Sequence, residues 1–359
     1  MKKFMKRTFA LLAAAMISVG AYASSTADTT EVRAEVPPAG MYRSELTGQW
    51  ISSTLQAQRP IAVMVDNEKT ALPHYGLTEA DIVYEMMNST ANGRITRFMA
   101  IVKDWGKITQ FGSIRSARPT NFMLAAEYNA IVCHDGGPYY INSYVAQPYI
   151  DNLSGGFARF SNGKRAEYTE YITYNNYYNP TKKQSYAGLA QRIAAAKYSA
   201  AYNSYYTGDH TRFSETEYSL AGRANAINAN NVVLPFPHNS SKLSYNSATG
   251  TYDYSEYGMA HVDPVHNNAR LTFENVLLLN CSWSQLDKNG YMVYNIICTG
   301  WDGYYLTNGK AIPITWSKFS DTTRTFYMDK VTGQEITLNP GKTYIGIVPS
   351  DVWNQLVIQ

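Results

Sequence analysis

The chain has 359 residues, with 31 Lys or Arg and 28 Asp or Glu, a length that sets a prior of two domains. Four of the basic residues (Lys2, Lys3, Lys6 and Arg7) belong to the leader, so the rest of the chain carries 27 basic against 28 acidic groups, a net −1. That balance leaves no electrostatic footprint for nucleic acid and excludes capture of anionic lipid by charge alone.

The basic head Met1–Arg7 is followed by an apolar run from Thr8 to Gly20 and then by Ala21-Tyr22-Ala23. This layout predicts a cleaved signal peptide over residues 1–23. The run is short for a bilayer span, which needs about 20 apolar residues, so the mature chain is expected to have no transmembrane segment. An exported protein, extracellular or associated with the cell envelope, follows. No Cys adjoins the cleavage point, so no lipid attachment is offered there. Residues 24–56 are rich in Ser, Thr, Ala and Glu, carry Pro37-Pro38, and read as a flexible linker.

Order is expected from about Arg59. Pro60 to Val65 is a short apolar run closed by Asp66-Asn67, a buried strand and a turn. Asp81 to Met87 and Ile95 to Val102 read as two more strands. Asn121 to Tyr128 has helical spacing, and Ala130 to Cys133 is a strand ending in His134-Asp135-Gly136-Gly137. Ser185 to Ala201 reads as an amphipathic helix with Ser185 as its N-cap. From about Asn231 the chain becomes a series of short strands punctuated by Asn289-Gly290, Asn308-Gly309, Thr332-Gly333 and Pro340-Gly341, a mainly antiparallel pattern. The expected fold class is α+β: an N-terminal domain, residues 57–215, with a mixed sheet and helices, and a C-terminal β-rich domain, residues 216–359.

There are three Cys, an odd count. Asn289-Gly290 is a strong signal for a two-residue type I′ turn. Such a turn would set Cys281 opposite Cys298 at a non-hydrogen-bonded pair, where Cα atoms sit roughly 4.5 Å apart, within disulfide reach. A Cys281–Cys298 bridge is expected, with two unbridged thiols as the alternative.

Several blocks carry a family resemblance. These are Arg59-Pro60-Ile61-Ala62-Val63-Met64-Val65-Asp66-Asn67, Gly76-Leu77-Thr78-Glu79-Ala80-Asp81-Ile82-Val83-Tyr84-Glu85, Ile95-Thr96-Arg97-Phe98-Met99-Ala100-Ile101 and Gly112-Ser113-Ile114-Arg115-Ser116-Ala117-Arg118-Pro119. Glu127-Tyr128-Asn129-Ala130 and then His134 follow in order. The second half adds His261-Val262-Asp263, Asn275-Val276 and Gly303-Tyr304-Tyr305 through Ile314-Thr315-Trp316. The chain resembles the YerB-like family, with DUF3048 N- and C-terminal domains, over roughly residues 57–350. The resemblance implies a two-domain α+β envelope protein and brings no reaction with it. Where the family tends to place an Arg and a Pro ahead of His-x-Asp, this chain has Glu256 and Ala260.

Arg115 and Arg118 flank Ser116 just before a predicted helix. Two guanidiniums and helix N-terminal N–H groups suit a carboxylate or a phosphate; the bland alternative is internal pairing with Glu85, Glu127 or Asp66. Arg97 shares a strand face with Ile95, Met99 and Ile101 and needs a partner; a structural Glu85–Arg97 pair is expected. His134 and Asp135 precede two glycines at a strand end and, with Asp66, Asn67, His261 and Asp263, complete the expected ligand-binding set. No Gly-x-Ser-x-Gly elbow is present, so a hydrolase would rest on His134 with Asp66 or Glu127. His261, Asp263 and His266 fall short of a metal motif, and neither metal nor cofactor is expected. Tyr clusters at 174–178 and 202–206 suit glycan or peptide contact. The leading reading is an envelope binding or accessory protein for an anionic or cell-wall-like ligand. A cell-wall hydrolase and a protein partner of wall-synthesis enzymes are the alternatives.

Overall fold

The computed structural model describes residues 37–359, which form a single compact unit. The expected signal peptide and the first part of the linker lie outside the described residues. Within them the fold is mainly β, and the helices are minor: Pro119–Glu127, Asn142–Val145 and Leu189–Ala195 are the α-helices.

An eleven-stranded mixed sheet organises the molecule. Its first half is built from Ile61–Asp66, Ile82–Met87, Thr96–Val102 and Ile131–His134, the four apolar runs expected from the sequence. Ile82–Met87 and Ile61–Asp66 both pair antiparallel with Thr96–Val102, and Ile131–His134 adds parallel to Ile61–Asp66. The second half contributes Asn275–Cys281, Cys298–Thr307 and Lys310–Lys318 as an antiparallel run. The two halves meet at the Thr343–Pro349 strand. It lies parallel to Asn275–Cys281 on one side and to Ile82–Met87 on the other. All its residues are buried, as a central strand covered on both faces requires.

Two apolar cores lie on opposite faces of this sheet, and strand alternation sorts residues between them. Met64, Tyr84, Met86, Met99 and Ile101 join Phe122 and Leu124 of the Pro119–Glu127 helix on one face. Val63, Val65, Val83, Phe98 and Ala100 join Tyr252, Tyr254 and Phe273 on the other. Those last residues belong to a second, six-stranded sheet of the C-terminal half. The large sheet is thus covered by a helix on one face and by a small sheet on the other, a layered solution for its apolar faces. Among the described residues no helix is long and apolar enough to cross a membrane.

Four local expectations are corrected. Residues 41–52, read as linker, form an antiparallel hairpin of Met41–Arg43 and Trp50–Ser52. Ser185 is not an N-cap: Gln184–Tyr186 pairs as a strand with Tyr177–Asn179, and the helix starts later, at Leu189, with Gly188 preceding it. Cross-strand pairing of Tyr177 with Tyr186 outweighs the helical spacing there.

The third correction is the disulfide. All three cysteines are free. Leu286 donates to the Tyr291 carbonyl and Trp283 faces Tyr294, so residues 287–290 make a four-residue loop. The Asp287 carboxylate accepts from the Asn289 and Tyr291 amides and shapes that loop. This register brings residue 296, not Cys298, towards Cys281, and Cys298 opens a different strand. The two-residue turn does occur at another Asn-Gly of the chain, Asn308-Gly309. Asn308 and Gly309 both have positive φ, 49° and 70°, with Thr307 facing Lys310, the type I′ geometry.

The fourth is the Glu85–Arg97 pair. Register places Glu85 opposite Phe98 and Met86 opposite Arg97. Glu85 and Arg97 therefore project from opposite faces of the sheet and do not meet.

Candidate functional site

The segment from Gly112 to Arg118 crosses the end of the large sheet and is pinned there by its backbone. Asp66 donates to the Ser113 carbonyl, Ile114 to that of Glu170, Arg115 to that of Met64 and Ala117 to that of Gly136. Arg118 is the last residue before the Pro119–Glu127 helix. Its amide donates to the Asn121 side chain at 2.7 Å, and Pro119 supplies a first-turn residue with no orphan N–H. The segment is thus rigid, and it holds Arg115 and Arg118 at one wall of a cleft of about 620 Å3.

Four arginines line this cleft: Arg97, Arg115, Arg118 and Arg165. They divide into two kinds. Arg115 lies 2.6 Å from Asp66 Oδ2, and Arg165 lies 2.5 Å from Glu167. These are ordinary ion pairs at the rim. Arg97 is buried and comes up from the sheet floor. Its guanidinium donates to Asn88 Oδ1 at 3.0 Å and to the Ser116 carbonyl at 2.8 Å, and its buried Nε has no hydrogen-bond partner. Arg118 donates to the carbonyls of Asn88 and Ala117 and lies over the Tyr291 ring, 5.0 Å from its centre. Neither Arg97 nor Arg118 forms an ion pair with a carboxylate among the described residues.

The electrostatics follow from that arrangement. Burial, then the neighbouring Arg97 and Arg115 charges, lowers Arg118 to about 9, although Tyr291 opposes this. Burial lowers Arg97 to about 10, with Asp66 opposing and Arg115 adding to the effect. Carbonyl dipoles and an aromatic face satisfy much of the geometry, and the Asp66 charge across the strand pair offsets part of that on Arg97, but neither guanidinium has a carboxylate bonded to it, a costly arrangement for a buried charge. An anion with two or more oxygens would be received by forked guanidinium donors, the geometry suited to carboxylate and phosphate.

Of the expected ligand-binding residues, Asp66, Arg115, Ser116 and Arg118 come together here. His134 and Asp135 do not line the cleft; they sit behind the Arg115–Ala117 segment. His134 is buried, with Nδ1 against the Gly136 carbonyl and Nε2 against Asn152. Neither Asp66 nor Glu127 is near it for acid–base work: Asp66 is held by Arg115, and Glu127 by Lys318 and Thr325. Asp135 reaches Arg159 at 3.4 Å. Asn67 faces inward and donates to Thr96 at 2.8 Å and Glu85 at 3.4 Å. Asp263 is a structural acceptor for the Gly76, Thr78 and Val265 amides and the Thr78 hydroxyl. His261 lies elsewhere, against His74.

The sequence reading missed Asn88, Arg165 and Tyr291, and it assigned Arg97 a structural pairing. The charge on an otherwise apolar strand was the available signal for Arg97. Tyr291 and Asn289 reach the cleft from the second half of the chain, and no local pattern announces that. The Tyr clusters lie at the surface, with Tyr178 and Tyr205 exposed and the others half-buried: Tyr202 stacks on Tyr206 and its hydroxyl bonds Glu45, and Tyr177 stacks on Phe160.

A sheet shared by two halves, with an arginine cleft at its end, defines the class of molecule; comparison with known proteins gives the family. Residues 46–187 match the N-terminal domain, and residues 232–345 the C-terminal domain, of the protein of unknown function DUF3048. The chain belongs to this DUF3048, or YerB-like, family. It is 25% identical over 315 residues to the "Putative lipoprotein YerB" of Bacillus subtilis (strain 168), covering 86% of each chain. The crystal structure of the YerB protein from Bacillus subtilis superposes with a TM-score of 0.71 at 22% identity, over 89% of this chain and 99% of that one. That likeness is one of fold.

Proposed function

We propose that this chain is an exported cell-envelope protein that binds a ligand bearing carboxylate or phosphate groups, such as a cell-wall fragment, in the arginine cleft. The observation that carries the reading is the pair of guanidiniums, of buried Arg97 and half-buried Arg118, that form no ion pair with a carboxylate among the described residues. Arg115 and Ser116 complete the binding wall, and Tyr291 covers Arg118 from the C-terminal half. The leader pattern and the lipoprotein name of the Bacillus relative support an envelope location. A hydrolytic role for His134 lacks support, because neither ring nitrogen contacts a carboxylate.

Titration calorimetry of the full chain with a stem peptide carrying free carboxylates, and separately with inorganic phosphate, tests this. Charge-assisted hydrogen bonds are worth about 1.5–3 kcal/mol each, so Arg118→Gln is expected to weaken binding about 10- to 100-fold. A neutral saccharide should not bind. Equal affinity in the wild-type and Arg118→Gln proteins, or no anion binding in either, would overturn the reading.

A further inference from the structure

On the face of the sheet away from the arginine cleft, three side chains from distant parts of the chain meet in the interior. Glu256 ends the Thr251–Glu256 strand, and a Tyr257-Gly258 turn with φ of 51° and 71° brings the chain back so that Glu256 faces Met259. His261 follows two residues later. His74 comes from the loop after the Ile61–Asp66 strand. All three are buried, with exposures of 1%, 3% and 0%. One ring nitrogen from each histidine and one Glu256 oxygen lie within 4.8 Å of one another.

The hydrogen bonds fix the protons. His74 Nε2 lies 2.5 Å from the Asp66 carbonyl, which only accepts, so this nitrogen carries a proton. In the neutral ring His74 Nδ1 is then an acceptor, and His261 Nε2, 2.8 Å away, donates to it. His261 Nδ1 is left with a bare lone pair. It is buried and has no hydrogen-bond partner, and the same holds for Glu256 Oε1. No hydrogen bond joins Glu256 to either histidine among the described residues. Nor does Glu256 have a Lys or Arg partner: Asn239 approaches its Oε2 at 3.5 Å. A backbone carbonyl behind the outer nitrogen of His74 is the usual means of orienting a ligating imidazole.

Glu256 and His261 also form the floor of a cavity of about 420 Å3, otherwise lined by Leu72, Pro73, Met259, Ala260 and Val262 with Lys69 at its side. The cluster is therefore open to a small solute from one direction.

We infer that His74, His261 and Glu256 form a binding site for a divalent transition-metal ion of the zinc class. Two imidazoles and one carboxylate are a zinc-type donor set, and three protein ligands leave a fourth position for water or a small ligand. Metal–ligand bonds of about 2.0–2.2 Å can span donor atoms that lie within 4.8 Å of one another, with the metal taking the place of the proton between His261 Nε2 and His74 Nδ1. The cavity sits where that fourth position would open. Mg2+ and Ca2+, which prefer all-oxygen sets, are poorly matched.

The test is metal uptake by the full chain, stripped with chelator and dialysed against Zn2+, with the protein-bound metal measured by mass spectrometry. One equivalent per chain is expected. Co2+ in its place should give the intense visible bands of a four-coordinate site. His261→Ala and Glu256→Gln should each weaken uptake about 10- to 100-fold. His210→Ala, at an exposed histidine, and Arg118→Gln should leave it unchanged, which separates this site from the anion cleft. Glu256→Gln keeps the size and shape of the side chain, so it is expected to fold. If it does not, the wild-type cobalt spectrum decides: four-coordinate bands support the site, and a hexaaquo-like spectrum overturns it. Absence of stoichiometric uptake by the wild-type chain, or wild-type uptake in both His261→Ala and Glu256→Gln, also overturns it.

Discussion

Glu85 and Arg97 sit on neighbouring strands, one register position apart, and their surroundings are opposite in kind. Glu85 is a buried carboxylate with every lone pair answered. Thr96 and Ser241 hydroxyls donate to Oε1 at 2.7 Å each, and Tyr254 and Tyr344 hydroxyls to Oε2 at 2.9 and 2.6 Å. Three of those donors come from the second half of the chain, so this carboxylate stitches the halves together on the face covered by the small sheet. Arg97, on the other face, is held by one side-chain oxygen and one carbonyl, with no carboxylate bonded to it, beside Arg118. A satisfied buried ion serves the fold. An unsatisfied one, placed in a cleft of about 620 Å3, is available to a ligand.

That contrast can be broken from either side. The largest effect is expected on removing the satisfied ion. Glu85→Ala leaves the buried Thr96, Ser241 and Tyr344 hydroxyls without this acceptor, while Tyr254 keeps Ser241, and buried unsatisfied groups cost about 1–3 kcal/mol each. With some relaxation, a loss of about 3–5 kcal/mol is expected in denaturant unfolding. A loss below about 1 kcal/mol would mean that Glu85 is no structural hub. Arg118→Met should act in the reverse sense. Replacing an uncompensated buried charge by an apolar side chain of similar length is often neutral or stabilising. Its unfolding free energy is expected to stay within about 1 kcal/mol of wild type while anion binding is lost. A variant that unfolds would place Arg118 with the scaffold.

Glu170 and Asp81 test the middle of the range. Glu170 lies 2.7 Å from Arg159 and accepts from the Phe157 amide, yet burial, aided by Asp135, raises its carboxyl to about 7. Burial likewise raises Asp81 to about 6. Both folded values lie above the ordinary carboxylate range, so the folded state binds more protons than the unfolded one. Stability from these groups is fully present below about pH 4 and is lost as pH rises through about 6 and 7. Glu170→Gln should flatten the decline in melting temperature between pH 5 and 8; an unchanged slope would show that Glu170 is ionised in the fold. The smallest effect is expected at the cysteines. With no bridge to lose, reductant should leave the melting temperature unchanged, and three thiols should titrate in denaturant without reduction.

Much of this architecture was legible because it is local. Alternation and apolar runs mark the strands at residues 61–66, 82–87, 96–102 and 131–134 to within a residue or two, since burial on both faces demands uninterrupted apolar side chains. Arg115 and Arg118 were legible as a pair before a helix. What alternation cannot supply is the partner across a face. The Glu85–Arg97 expectation failed on a single step of register, which sends neighbouring side chains to opposite sides. The Asn289-Gly290 expectation failed because the Asp287 side chain captures the loop amides, whereas Asn308-Gly309 has no such competitor at that position and turns in two residues.

By itself, then, the sequence determined the strands, the neutral body, the basic segment at a strand end and the family to which the chain belongs. Those depend on residue type and spacing along a few neighbouring positions. Only the tertiary structure decided that Thr343–Pro349 joins the two halves into one sheet, that Tyr291 reaches the cleft, and that His74, Glu256 and His261 converge from segments up to 187 residues apart. Such contacts are set by how strands pair and layers stack over the whole chain, and the free energy that fixes them is spread over both cores rather than written in any one segment.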